Sequence, residues 1–244
     1  MSQRSREQSK TSLQCFAAET LPQANRNLRH ADPATIIDWS IETARALAEE
    51  SRQTAGRLGH LPPIMMTTSM GVNAAVMLHA VTLRLPNIPV VWVDTGFNLA
   101  DTYRVAHQLE HDLNLNLRVY SPRMTPERIR TLMGGVPMTE DQEQHRRFTE
   151  LVKLEPFDRA IQELQPRVWL TGIRREETAY RRGLECVTYD SRGLIKVAPF
   201  FHATEADLEA YRRRYSLPTT KHYFDPTKVD ASRECGLHTA SSAA

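Results

Sequence analysis

Four short runs rich in apolar residues, each leading into a polar turn, restrict what this chain can fold into more than any other feature. They are Ile64-Met65-Met66-Thr67, Pro89-Val90-Val91-Trp92-Val93, Leu117-Arg118-Val119-Tyr120 and Arg167-Val168-Trp169-Leu170-Thr171. The second is unbroken by polar residues, as a strand reads when both of its faces are covered. Residues 73–85 and 99–113 lie between the first three runs and read as helices, the latter carrying Tyr103, Val105, Ala106 and Leu109. Strand, helix, strand, helix, strand at this spacing predicts an α/β fold, a mostly parallel twisted sheet with helices on both faces. Ligands of such sheets bind beyond the carboxyl ends of the strands, so the polar turns after these runs are where chemistry is expected.

The first turn is Thr67-Thr68-Ser69-Met70-Gly71. Hydroxyls and a glycine between a strand and a helix make an anion cradle, because free N–H groups at the helix start and the side-chain hydroxyls converge. A serine-rich helix cap with no ligand is the alternative. It is not a Walker loop, which needs a lysine that is absent here. The second run ends in Asp94-Thr95-Gly96, and the fourth empties into Gly172-Ile173-Arg174-Arg175, with Arg181-Arg182 shortly after. Planar guanidinium forks at that edge suit phosphate or sulfate oxygens, although a solvated loop would also carry arginines.

Around this centre the chain divides into a polar N-terminal arm (1–30), mobile or loosely docked, a nucleotide-binding α/β domain (31–217) and a C-terminal tail (218–244). Asp32-Pro33 reads as a helix start, with Ile36, Ile37, Ser40, Ile41, Ala44, Leu47 and Ala48 in helical period up to Gly56. Residues 121–150 lose periodicity, as a lid or functional loop does. Val187-Thr188-Tyr189 and Leu194-Ile195-Lys196-Val197 flank a Ser191-Arg192-Gly193 turn and predict a hairpin closing one sheet edge. After Pro218 no core pattern remains.

The tail holds Arg233-Glu234-Cys235-Gly236-Leu237-His238. A thiolate is the reactive form of cysteine, and Arg233 and His238 are placed to lower the Cys235 pKa while Glu234 opposes them. A free thiol on a loose tail is the plain alternative. Cys15 and Cys186 are the other cysteines, and Cys186 reads as a small packing residue. Three thiols without a CxxC pair give no metal-ligand spacing, no four-thiolate iron-sulfur cluster within one chain, and no disulfide framework. With 31 Lys and Arg against 29 Asp and Glu, net charge is +2, so no general nucleic-acid affinity follows. No apolar stretch reaches the length of a membrane span or resembles a signal peptide, and a cytoplasmic location is expected.

Glu234-Cys235-Gly236-Leu237-His238 resembles the C-terminal signature of the assimilatory 3'-phosphoadenylylsulfate (PAPS) reductases. The hydroxyl loop, Asp94-Thr95-Gly96, Lys153-Leu154-Glu155-Pro156 and Gly172-Ile173-Arg174-Arg175-Glu176 precede it in the order found in that family. The collinearity spans Pro62 to His238. It implies an adenine nucleotide alpha-hydrolase-like fold, usually a homodimer. It also implies cluster-free reduction of PAPS to sulfite and adenosine 3',5'-bisphosphate, with electrons from thioredoxin or glutaredoxin. On this reading Cys235 and His238 are catalytic. Thr67, Thr68, Ser69, Gly71, Asp94, Thr95, Gly96, Lys153, Arg174, Arg175 and Arg181 bind substrate. Absence of paired cluster cysteines points away from the iron-sulfur adenylylsulfate (APS) reductases. Thr67-Thr68-Ser69-Met70-Gly71 stands where the family usually has Ser-Ser-Ser-Phe-Gly, and the family's His-Pro-Leu and Gly-Asp run is not recognisable between Phe200 and Arg233. A degenerate nucleotide-binding partner of an active reductase, cluster-free APS reduction and an ATP-using ligase on the same scaffold therefore stay open.

Overall fold

The computed structural model describes residues 21–55, 63–138, 140–228 and 237. Among these residues six strands, β1 (Ile64–Thr68), β2 (Pro89–Val93), β3 (Asn116–Tyr120), β4 (Val168–Leu170), β5 (Val187–Tyr189) and β6 (Ile195–Val197), form one sheet in the order β3-β2-β1-β4-β6-β5. Every pairing is parallel except β5 with β6, which is the expected edge hairpin. The α/β architecture read from the sequence is therefore the one observed.

The two-residue alternation of a strand sorts its side chains into two cores. Ile64 and Met66, Val90 and Trp92, Val168 and Leu170, and Ile195 and Val197 point to one face. There they meet α2 (Pro33–Ala55), α3 (Ala74–Thr82) and α9 (Glu205–Arg214). Met65, Val91 and Trp169 point to the other, against Phe157 and Ala160 of α7 (Glu155–Leu164). α2 begins as expected at Pro33, with the Asp32 carboxylate accepting from Thr35 N–H at 3.1 Å. α4 (Ala100–Asp112) crosses from β2 to β3 and buries Val105, Ala106 and Leu109.

Two expectations change. The aperiodic 121–150 stretch holds two short helices, α5 (Pro126–Met133) and α6 (Gln142–Thr149), followed by a π-turn (Glu150–Leu154) that runs directly into α7. Each begins at a side-chain cap, Thr125 accepting from Arg128 N–H and Asp141 from Gln144 N–H. Eight residues are too few to display a period, and only Ile129 of α5 is buried, in a small separate core with Phe148 and Val152. The end of the N-terminal arm is also docked. Residues 21–28 form helix α1, with Ala24 and Leu28 buried. Its Asn25 amide donates to Val187 C=O at 2.8 Å and accepts from Val187 N–H at 2.9 Å. That pair completes the open side of edge strand β5 as a neighbouring strand would. Among the described residues no helix is long and apolar enough to cross a membrane.

Candidate functional site

The chain runs outward from β1 to β2 and β3, then returns to β4 on the other side of β1, so the strand order reverses between β1 and β4. That gap is where doubly wound sheets bind ligands, since the loops leaving the two strands diverge there. A cavity of about 580 Å³ opens at this point, lined by the ends of β1 and β4 and the start of α3. Thr67, Thr68, Ser69, Gly71, Thr95, Lys153, Arg174 and Arg181 all border it.

The hydroxyl loop is held from within. Thr67 Oγ1 accepts from the Trp169 indole N–H at 2.9 Å, and Thr68 Oγ1 accepts from Met70 N–H at 3.0 Å. Met70 has φ +52° with its side chain fully buried, so a non-glycine residue occupies the left-handed region at the turn. Strain of this kind persists where surrounding packing over-determines the backbone, as it does at binding loops. Gly71 lies beneath the Tyr223 ring, which a Cβ there would meet at 3.4 Å.

Asp94 and Gly96 do not line the cavity, contrary to expectation; they shape the turn that does. One Asp94 oxygen accepts from Gly96 N–H, Asn98 Nδ2 and the Tyr103 hydroxyl at 2.8–2.9 Å. Burial first, and then that carboxylate, pushes the Tyr103 hydroxyl up to about 12. Gly96 has φ +78°, and a Cβ there would lie 2.3 Å from Pro126 Cγ. Thr95 and Asn98 are what this turn presents to the cavity.

The arginines divide as well. Arg175 is exposed and is not among the residues lining the cavity, and its N–H donates to Phe201 C=O at 2.8 Å. Buried Arg174 reaches Glu176 at 2.5 Å and Glu205 at 2.7 Å, and its N–H donates to Glu177 at 2.8 Å. Because Glu205 opens α9, this network ties the β4 loop to that helix. Arg181, in the short helix α8 (Ala179–Arg182), pairs with Glu177.

The tail departs most from its reading. Instead of leaving the core at Pro218, the segment stays docked, with Thr220 and Thr227 buried and Tyr223, Phe224, Asp225, Pro226 and Lys228 among the cavity walls. Lys153 Nζ, carried on the π-turn, donates to Asp225 Oδ2 at 2.5 Å and to Thr227 Oγ1 at 3.1 Å. Burial pushes the Asp225 carboxyl up. The Lys153 charge and the hydrogen bonds from Lys153 and Thr227 outweigh that and hold it below 3.8. No local period marks Asp225 or Lys228 as site residues; Asp-Pro reads only as a turn. Cys235 and His238 lie outside the described residues. Leu237 is described: it lines the cavity and packs on the Met65, Val91 and Trp169 core. Cys186 is buried, and burial pushes its thiol up to about 12, which fits a packing role.

A sequence model of the phosphoadenosine phosphosulfate reductase domain matches residues 63–226. Among sequence relatives, a Synechocystis protein named phosphoadenosine 5'-phosphosulfate reductase is 37% identical over 198 residues, covering 81% of this chain and 73% of that protein. A Synechococcus protein of the same name is 38% identical over 198 residues, covering 72% and 85%. The solved PAPS reductase of Candida auris, a phosphate complex, shares the fold at a TM-score of 0.66 with 21% identity, covering 83% of this chain and 89% of that one. With the family's sequence pattern running from β1 through the turn that carries Asp225, the chain belongs to the phosphoadenosine phosphosulfate reductase family.

Proposed function

We propose that this chain reduces PAPS to sulfite and adenosine 3',5'-bisphosphate through Cys235. The nucleotide sits at the switch point, its anionic and ribose oxygens facing Thr67, Thr68, Ser69 and the N–H groups at the start of α3. The Cys235 thiolate attacks the sulfuryl sulfur. An S–S bond forms, the S–O bond to the 5'-phosphate breaks, and the nucleotide leaves as the bisphosphate. A thiolate of thioredoxin or glutaredoxin then attacks Cys235 Sγ and sulfite departs with the electron pair. The donor's second thiol resolves the mixed disulfide, so the donor is oxidised and Cys235 returns as a thiol. Positive charge and N–H donors around the leaving phosphate favour this displacement, because they meet negative charge as it develops.

The observation that carries the reading is Leu237, which borders the same cavity as the hydroxyl loop. Leu237 stands two residues after Cys235 in the sequence, and its place on the cavity wall supports assigning the reaction to that thiol. A volume of about 580 Å³ also suits a nucleotide-sized ligand. The test is sulfite release from PAPS with reduced thioredoxin. Wild type turns over and Cys235→Ser does not, while a bound sulfonate adds mass to the Cys235 peptide when thioredoxin is withheld. Equal sulfite from both proteins removes Cys235 from the chemistry. Binding of the bisphosphate without turnover by either leaves a nucleotide-binding partner.

A further inference from the structure

Charge at the cavity is distributed unevenly, and the uneven part lies in the tail. Arg174, Arg181 and Lys153 all border the cavity, yet each is matched by a carboxylate: Glu176 and Glu205 for the first, Glu177 for the second, Asp225 for the third. A phosphate approaching any of them competes with an anion already in place. Lys228 also borders the cavity and is half-buried, and among the described residues its ammonium has no such partner.

The local chain explains how it is held. Asp225-Pro226-Thr227-Lys228 closes a β-turn, Lys228 N–H donating to Asp225 C=O at 3.0 Å, with aspartate and proline at the two positions that favour such a turn. The Asp225 side chain braces it from inside, accepting from Thr227 N–H at 3.0 Å and Thr227 Oγ1 at 2.7 Å. Lys153 anchors the whole from the domain body. Lys153 thus fixes the turn, and the turn carries a different cation to the cavity wall.

We propose that Lys228 is the specificity-determining contact for a phosphate group of the nucleotide, and that Lys153 acts through Asp225 to position it. The inference rests on the nucleotide reading above and assigns the anion contact to a residue of the tail segment. Binding there gains a charge-assisted hydrogen bond without breaking an ion pair.

Titration calorimetry with adenosine 3',5'-bisphosphate and with adenosine separates the possibilities. Lys228→Gln weakens the bisphosphate about 10-fold, the low end for a charged hydrogen bond at a half-exposed site, and leaves adenosine unchanged. Lys228→Arg keeps the charge and restores most of the affinity. Lys221→Gln, an exposed lysine of the same segment outside the cavity, changes neither ligand. Lys228→Gln behaving like Lys221→Gln overturns the proposal, as does an equal loss for both ligands, which marks a structural fault. Wild-type protein that binds neither compound sinks the nucleotide reading and this inference together, whereas bisphosphate binding that ignores Lys228 sinks this one alone.

Discussion

The Thr67 hydroxyl serves the fold before it serves any ligand, because it accepts a hydrogen bond from the Trp169 indole N–H, 102 residues away. Thr67→Val keeps the shape and removes that acceptor, and a net loss of about 1–2 kcal/mol is expected in urea unfolding. Gly96 is a sharper case. At φ +78°, with Pro126 Cγ 2.3 Å from any added Cβ, Gly96→Ala strains the backbone and displaces α5. A cost of about 1–3 kcal/mol follows, read as a lowered Tm. Cys186 gives a chemical test at the same scale. With its thiol pushed up to about 12 by burial, it stays protonated at pH 8 and resists iodoacetamide in the native protein. Peptide mapping should find it labelled only after unfolding. That Cys186 packs was legible from its neighbours in the sequence; that Thr67 hydrogen-bonds Trp169 was not, since nothing local links residues so far apart.

Among elements, the π-turn between α6 and α7 does the most with the least chain. A wide turn changes which residues share a helix face, and π-turns recur at functional sites for that reason. Here Val152 and Lys153 are both buried, and Lys153 meets Asp225 with the two side chains only 10% and 6% exposed. Removing one member of a buried pair leaves the other charge poorly compensated, so Asp225→Asn should cost about 3 kcal/mol at pH 7. The pH dependence has a definite sign. The Asp225 carboxyl is held below 3.8 in the folded state, so its contribution is complete above that value and is lost as pH falls through the depressed folded one. Urea midpoints of wild type and Asp225→Asn should therefore differ at neutral pH and converge in acid. The lysine was identifiable from its motif. Its partner was not, because a lone aspartate before proline carries no sign of what it will face.

For the molecule as a whole, the question is how the tail meets the sheet. Leu237 rests on the core formed by Met65, Val91 and Trp169 and borders the cavity. If that contact delivers the neighbouring thiol, Leu237→Ala should slow sulfite release about 10-fold, the scale of losing part of one leucine's burial, and leave bisphosphate affinity unchanged. Equal rates would mean the tail finds the cavity without it. The parallel sheet, the helices α2, α3 and α4 and the hydroxyl loop, but not α1, α5 and α6, were readable from residue patterns, because apolar periodicity and turn chemistry act over a few neighbouring positions. So was the family, through motifs that keep their order along the chain. Tertiary structure alone decided which cations border the cavity already matched by acids, that Asp94 and Gly96 build the turn while Thr95 and Asn98 face inward, and that Tyr223, Phe224, Asp225, Pro226 and Lys228 wall the cavity. Those outcomes depend on which loops the sheet brings within hydrogen-bond distance across 70 or more residues, as with Lys153 and Asp225, 72 apart. Electrostatic pairing falls off over a few ångströms of space, and space is what a linear pattern does not contain.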